Sequence, residues 1–386
     1  VKRPRVLFFV EGFTDIRFVV GLSEVCDLTM AVPADAFARS GLKVRVAQSG
    51  ARLTVDEIPG GRLAFQVRSL AYLWRHARDF DVVLAQEVLR GAFNANLVGA
   101  LRGVPVVTYM GVAPAEYFRC RYERGRIGWC EWAVGDLVIR SLMAVNGRLA
   151  TRCLAMGPYL RDVARRYCPR SEIGRYYGVD TDVFRPAGDV ERRELRRRWG
   201  LPEDRFLIFL SSRISHEKDP ETVLRATALA RARGLDAVLL NLGGGYQVFL
   251  RLAHELKLPG ADEWVIGRPA AHPMTEVADF FRAADVLAQA SLAEGLGLSP
   301  LEALACCTPV VATAVGGMAV QLRGHARLTP RRDPEAMAEQ FLWVAAHPEE
   351  ARAQALRGRE YVVEEWDRGR AFAELRVALE SAAGRR

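Results

Sequence analysis

The residues best suited to chemistry lie in one stretch, from Ser291 through Glu294 and Glu302 to Thr313. Two carboxylates, Glu294 and Glu302, flank a loop of small and apolar residues, Gly295, Leu296, Gly297 and Leu298, that runs into a short helix. An ionised carboxylate only accepts hydrogen bonds, so it suits a ligand that offers hydroxyl donors. The unpaired amides of a helix start carry partial positive charge and suit a phosphate. A plainer account exists for each residue. Ser299, Pro300 and Glu302 fit the N-cap, first and third positions of a helix, so Glu302 could complete a capping box. Gly295 and Gly297 could simply make a tight turn.

A second candidate is Ser211-Ser212-Arg213-Ile-Ser-His216-Glu-Lys218-Asp219, between a strand and a helix. An arginine fork and a lysine point charge, five residues apart, suit a diphosphate. The alternative is a solvated turn in which Lys218 pairs with Glu217 or Asp219.

The surrounding pattern alternates strands and helices. Val6–Val10, Leu28–Val32, Val44–Ala47, Asp81–Ala85 and Val104–Tyr109 read as strands, with helices at Arg68–Arg78, Gly91–Leu101 and Trp129–Leu142. Ser171–Pro186, dense in turn residues, reads as a linker. A second series follows. Its strands are Phe206–Ser211, Val238–Leu242, Trp264–Ile266, Val286–Ala290 and Pro309–Thr313, and amphipathic helices close the chain. Such alternation predicts parallel sheets covered on both faces. The 386 residues favour two domains, 1–180 and 187–365, with 366–386 as a terminal helix.

Composition narrows the partners. Half the chain is hydrophobic and 26% charged, as in ordinary globular proteins. The net charge is +8, but lysine occurs only at positions 2, 43, 218 and 257. No basic run is interleaved with aromatics, so nucleic acid is not an expected partner. Acidic substrates or a peripheral contact with an anionic membrane stay compatible with the charge. For Trp129–Leu142, packing on the sheet is the expectation and membrane docking the alternative. Seven cysteines without framework or metal spacing point to a reducing, cytoplasmic setting. No segment is long and apolar enough to span a bilayer. A dehydrogenase sheet is disfavoured, because no Gly-x-Gly-x-x-Gly with a distal acid follows the first strand.

The order of these motifs resembles the retaining family-four glycosyltransferases of the GT-B fold. Arg213-x4-Lys218, the Gly243-Gly244-Gly245 turn, Ala284-Asp285-Val286, Glu294-x7-Glu302 and Thr308-Pro309 carry the likeness, with Gly178–Pro186 and Trp366. The resemblance is specific over about residues 175–370. It implies two Rossmann-like domains facing each other across a cleft, with the last helix returning to the first. It implies a nucleotide-sugar donor, a hydroxyl acceptor (glycan, lipid-linked or small molecule), and no metal or other cofactor. Arg213 and Lys218 would hold the diphosphate, Glu294 the transferred sugar and Glu302 the ribose. Gly12, Gly243, Gly244, Gly295, Leu296, Gly297 and Leu298 would line the donor, and Ile266 and Arg268 would border the base. Two departures stand out. Met110 occupies the place of the family's usual histidine, and the only histidine of the first half is His76, in a helix. The usual glycine pair after the first strand is reduced to Gly12, preceded by Glu11. Met110 motivates a rival reading, a GT-B protein that binds nucleotide without transfer.

Overall fold

The computed structural model describes residues 3–12, 14–269 and 274–384. Lys2 and the last two residues of the terminal segment lie outside that range. The chain divides into two units. One comprises 1–119, 128–178 and 368–386, the other 120–127 and 179–367. No helix among the described residues is long and apolar enough to cross a membrane.

The first unit is built on a parallel sheet of seven strands: β1 (Arg5–Phe9), β2 (Asp27–Pro33), β3 (Leu53–Ile58), β4 (Val82–Ala85), β5 (Val106–Met110), β6 (Arg152–Met156) and β7 (Ser171–Gly174). Their order is β3-β2-β1-β4-β5-β6-β7. The central β1 is an unbroken apolar run because both of its faces are covered; Phe8 stands between Met30 of β2 and Leu84 of β4. The second unit holds β8 (Phe206–Leu210), β9 (Ala237–Leu242), β10 (Val265–Arg268), β11 (Val286–Gln289), β12 (Val310–Thr313) and β13 (Arg327–Thr329). Their order is β10-β9-β8-β11-β12-β13, all parallel. In each sheet the order reverses beside the first strand, between β1 and β4 and between β8 and β11. Ligands of open α/β sheets bind outside the carboxyl ends of strands at such a reversal.

Two sequence expectations are corrected. Val44–Ala47 is not a strand but part of a helix, Leu42–Gln48, begun at Gly41 in the left-handed region (φ 68°). Four alternating residues are too few to fix a period; the edge strand is the next alternating run, β3. The presumed linker begins later than expected. Ser171–Gly174 pairs with β6 as an edge strand, and Tyr176 and Tyr177 are buried. Tyr176 stacks on Phe18 at 4.5 Å, and its amide donates to Tyr109 Oη at 2.5 Å.

The last helix, Arg368–Ala383, belongs to the first unit and lies on the helix Ile16–Val25. The contact is close because Gly21 has no side chain: a Cβ there would stand 2.0 Å from Phe372 Cζ. We therefore expect Gly21→Ala to cost about 1–3 kcal/mol by overpacking. Phe372→Ala should be less damaging in that background than alone, a coupling that urea denaturation of the double-mutant cycle measures.

Candidate functional site

In the second unit four loops meet at the carboxyl edge of the sheet, and side-chain clamps hold them to the strands. Asn241 Nδ2 donates to the carbonyls of Leu210 and Ser212, both at 3.0 Å, fixing the exit of β8 against β9. Thr313 Oγ1 donates to Ser291 O at 2.6 Å and does the same for β11 and β12. Leu292 N donates to Glu217 O at 2.7 Å, so the loops after β8 and β11 touch. Gly243 lets the next turn approach: a Cβ there would lie 2.7 Å from Ser212 O. Gly317 is more constrained, since its Cβ would fall 1.9 Å from Gly295 O. Its amide donates to Glu294 O at 2.9 Å.

Within this frame Lys218 Nζ forms a short ion pair with Glu294 Oε2. Their side chains are only 17% and 12% exposed. Ser291 Oγ donates to the same oxygen at 3.1 Å, and Gln289 Nε2 donates to Ser291 Oγ at 2.8 Å. The lysine expected at the diphosphate and the carboxylate expected at the sugar thus face each other. Neither Glu217 nor Asp219 takes Lys218, as the plain-turn account required. Arg213 behaves differently: its side chain is 68% exposed and pairs with Glu217 at 2.7 Å.

The helix beside them runs from Leu298 to Ala305. Its N-cap is Gly297 (φ 90°), where a left-handed backbone favours glycine. The capping box read from Ser299 does not form. Ser299 lies inside the helix, and its Oγ donates to Ser211 O at 2.9 Å, tying the helix start to the loop after β8. Glu302 is consequently the fifth helical residue, too far in to cap, and it is buried. Gly295, Leu296 and Gly297 are buried, and Leu298 is half-buried. Gly244 supports the loop through its carbonyl, which accepts from Ile214 N at 2.8 Å. Ile266 is half-buried in β10. The Arg268 guanidinium does not join the group: it donates to Trp199 O at 2.6 Å, anchoring the end of a helix, Asp189–Arg198. Asp285 is structural too, accepting from Arg192, Arg196 and Leu207 N at the other end of β11. A cavity of about 550 Å³ opens at that end, lined by Arg192, Arg282 and Asp285. Its charges are already paired: Arg192 with Asp285, Arg282 with Glu191 and Asp279.

The first unit has a pocket at its own reversal. A cavity of about 440 Å³ is lined by Glu11 and Gly12 after β1, by Gln86 and Glu87 after β4, and by Arg90. Sequence reasoning gave Gly12 a place near the donor; here it lies in this cavity, and a Cβ on it would meet nothing within 4 Å. Glu87 was missed. Burial first, then the neighbouring Glu11 carboxylate, pushes the Glu87 carboxyl up to about 7, against the amides of Gly91 and Ala92, which favour its ionised form. Arg90 Nη2 pairs with Glu11 Oε1 at 3.0 Å. Met110 is buried in the core with Val88, Met143 and Cys153, so it is a packing residue. His76 is a surface helix residue, 3.4 Å from Asp79. The helix Trp129–Leu149 is anchored through Asn146, which accepts from Asn96 at 3.0 Å. Its later half packs on the sheet, with Met143 buried beside Met110, Cys153 and Ala155 and Ile139 against them, while Trp129, Val134, Leu137 and Val138 are exposed.

Two α/β units, each on a parallel sheet whose strand order reverses beside its first strand, define the GT-B class of fold. HepE of Anabaena, solved with UDP-glucose, superposes with a TM-score of 0.78 at 16% identity, covering 98% of this chain and 100% of that one. WaaG, a glycosyltransferase involved in lipopolysaccharide biosynthesis, gives 0.72 at 14% identity, covering 97% and 99%. Residues 191–361 match the family described as glycosyl transferases group 1. The D-inositol 3-phosphate glycosyltransferase 1 of Catenulispora acidiphila is 32% identical over 302 residues, 74% of this chain and 68% of that protein. The D-inositol 3-phosphate glycosyltransferase of Mycobacterium tuberculosis is 40% identical over 151 residues, 38% of this chain and 30% of that enzyme. The chain belongs to the group 1 glycosyl transferases.

Two measurements probe these charges. Lys218→Ala leaves the Glu294 carboxylate largely desolvated, and we expect a loss of about 2–3 kcal/mol, less than for a fully buried pair because both ends keep some solvent. Lys218→Ala with Glu294→Gln should regain part of it in chemical denaturation. For Glu87, the folded chain keeps a proton that the unfolded chain has lost. Stability should therefore fall as pH rises from about 4.5 to about 7 and then level. Melting temperatures of Glu87→Gln across that range should lack this component.

Proposed function

We propose that the chain transfers a sugar from a nucleotide-diphosphate donor to an acceptor hydroxyl with retention of anomeric configuration. The observation that carries this reading is the meeting of Lys218 and Glu294 beside the start of the Leu298–Ala305 helix. In the reaction the bond from the anomeric carbon to the phosphate oxygen breaks, and its electron pair leaves with the diphosphate. The acceptor oxygen bonds the same carbon and loses its proton to the departing diphosphate. Lys218 exchanges its partner, moving from Glu294 to a phosphate oxygen, while Glu294 turns to the sugar hydroxyls. Arg213 releases Glu217 and adds a second cation. The amides from Gly295 to Gly297 and the helix start face the phosphates, so developing charge meets fixed dipoles and needs no metal. Glu302 accepts from the ribose. UDP-sugars are the first donors to test, since HepE was solved with UDP-glucose. The buried Met110 keeps the rival alive, a chain that binds donor without transferring it.

Calorimetry with UDP and turnover of a UDP-sugar panel test both. Arg213→Ala or Lys218→Ala should weaken UDP by about 1.5–3 kcal/mol, as expected for hydrogen bonds to charged groups, with Arg213 at the low end because it is exposed. Product NMR should show the donor's anomeric configuration. Equal UDP affinity in the double variant would remove the diphosphate site. Tight donor binding with no turnover by any acceptor would favour the binding protein.

A further inference from the structure

The hydrogen bonds around Glu294 are lopsided. Its three donors, Lys218 Nζ, Ser291 Oγ at 3.1 Å and Gln289 Nε2 at 3.5 Å, all go to Oε2. The other oxygen, Oε1, has no donor among the described residues. Two of the three donors are neutral and enclosed: Gln289 is 2% exposed and Ser291 0%. They are also linked, since Gln289 Nε2 donates to Ser291 Oγ at 2.8 Å. The carboxylate at the end fixes the order of this chain. An ionised carboxylate can only accept, so Ser291 gives it the single hydroxyl proton. The serine oxygen then needs a donor, and the NH2 side of Gln289 provides it.

Packing does not account for Gln289. The strand β11 lies between β8 and β12 in a parallel sheet, where both faces are covered and apolar residues are the rule. Val286, Leu287 and Ala288 follow that rule, and Gln289 breaks it. Its Oε1 is buried with no donor among the described residues, a cost that a leucine there would not incur. What the amide supplies is its other end, turned to Ser291 and Glu294. Ser291 is held in turn by Thr313 Oγ1, which donates to its carbonyl at 2.6 Å, so the chain is anchored across β11 and β12. Lys218 differs from both donors, because its ammonium sits on a flexible four-carbon stem and can change partner.

We propose that Gln289 and Ser291 are positioning residues, a buried relay that holds Glu294 Oε2 once Lys218 has left it for a phosphate and so presents Oε1 to a hydroxyl of the donor sugar. Without the relay, departure of the lysine would leave a largely desolvated carboxylate with no donor and no fixed orientation. With it, two neutral donors stay in place while the cation moves. The sugar as ligand rests on the transfer reading above; the relay itself does not.

The test has two arms, both on the full chain. Calorimetry compares UDP with UDP-glucose, UDP-galactose and UDP-N-acetylglucosamine. In Gln289→Leu and in Ser291→Ala, the best-bound sugar nucleotide should weaken at least fivefold, while UDP stays within twofold of wild type, because Glu294 meets the sugar and not the nucleotide. Ser291→Ala removes one hydroxyl and keeps the test open if Gln289→Leu fails to fold. The second arm needs no ligand. In urea denaturation, Ser291→Ala or Gln289→Leu should lower the midpoint of Glu294→Gln by less than half of what it lowers that of wild type, since the charge that the relay serves is gone. Additive midpoints would remove the relay. Equal weakening of UDP and sugar nucleotide would make it a support of the fold alone, and unchanged affinity for both would leave it no part in binding; either result overturns the proposal. If wild type binds neither UDP nor any sugar nucleotide, the transfer reading fails, and the urea cycle alone decides whether Gln289 and Ser291 hold Glu294.

Discussion

The second unit depends on one contact, the desolvated pair of Lys218 and Glu294. Each residue sits on a different loop, and each loop leaves a different strand. Without the pair, a cation and an anion would be left in a place with little water, so the loops are held at the reversal between β8 and β11. The surrounding clamps serve this placement. Asn241, Thr313 and Ser299 all donate to carbonyls at strand exits, where a parallel sheet runs out of ladder partners. Gly317 and Gly243 then let backbones approach where any side chain would collide. A polar pair of this kind is a modest source of stability. Its value is positional, because both ends are ready to exchange partners.

The two units reach similar geometry with opposite chemistry. Each uses the loops after the first strand and its reversal neighbour. In the second unit these loops bring lysine to glutamate. In the first they bring glutamate to glutamate, with Arg90 paired to Glu11. The first pocket is therefore acid-rich, while the second unit pairs its charges beside helix amides.

Much of this was legible in the sequence. Long apolar runs such as Val6–Val10 and Val238–Leu242 announce strands because both faces of a parallel sheet are buried. The Glu294 and Lys218 motifs stand out because their spacing is tied to strand ends. What failed depended on three-dimensional context. Val44 and Val46 alternate, yet the helix around them buries Leu42 and leaves Val44 exposed. Ser299 has the composition of an N-cap, but the left-handed Gly297 starts the helix first, and Ser211 captures the hydroxyl. Arg268 lies at the right strand end, but a long side chain can reach away, and Trp199 and Gly200 offer carbonyls. Glu87 gave no signal, since only folding sets it against Glu11, seventy-six positions earlier.

The scarcity of lysine gives the central pair an analytical use. Amine-acylating reagents have four side chains to attack, and Lys43 is openly accessible at 55% exposure. Lys218 is masked by Glu294 and mostly shielded from water, so its reaction waits on whatever separates the two. Its labelling rate is thus a clock for the opening of the pair, readable by peptide mass spectrometry against Lys43 as an internal standard.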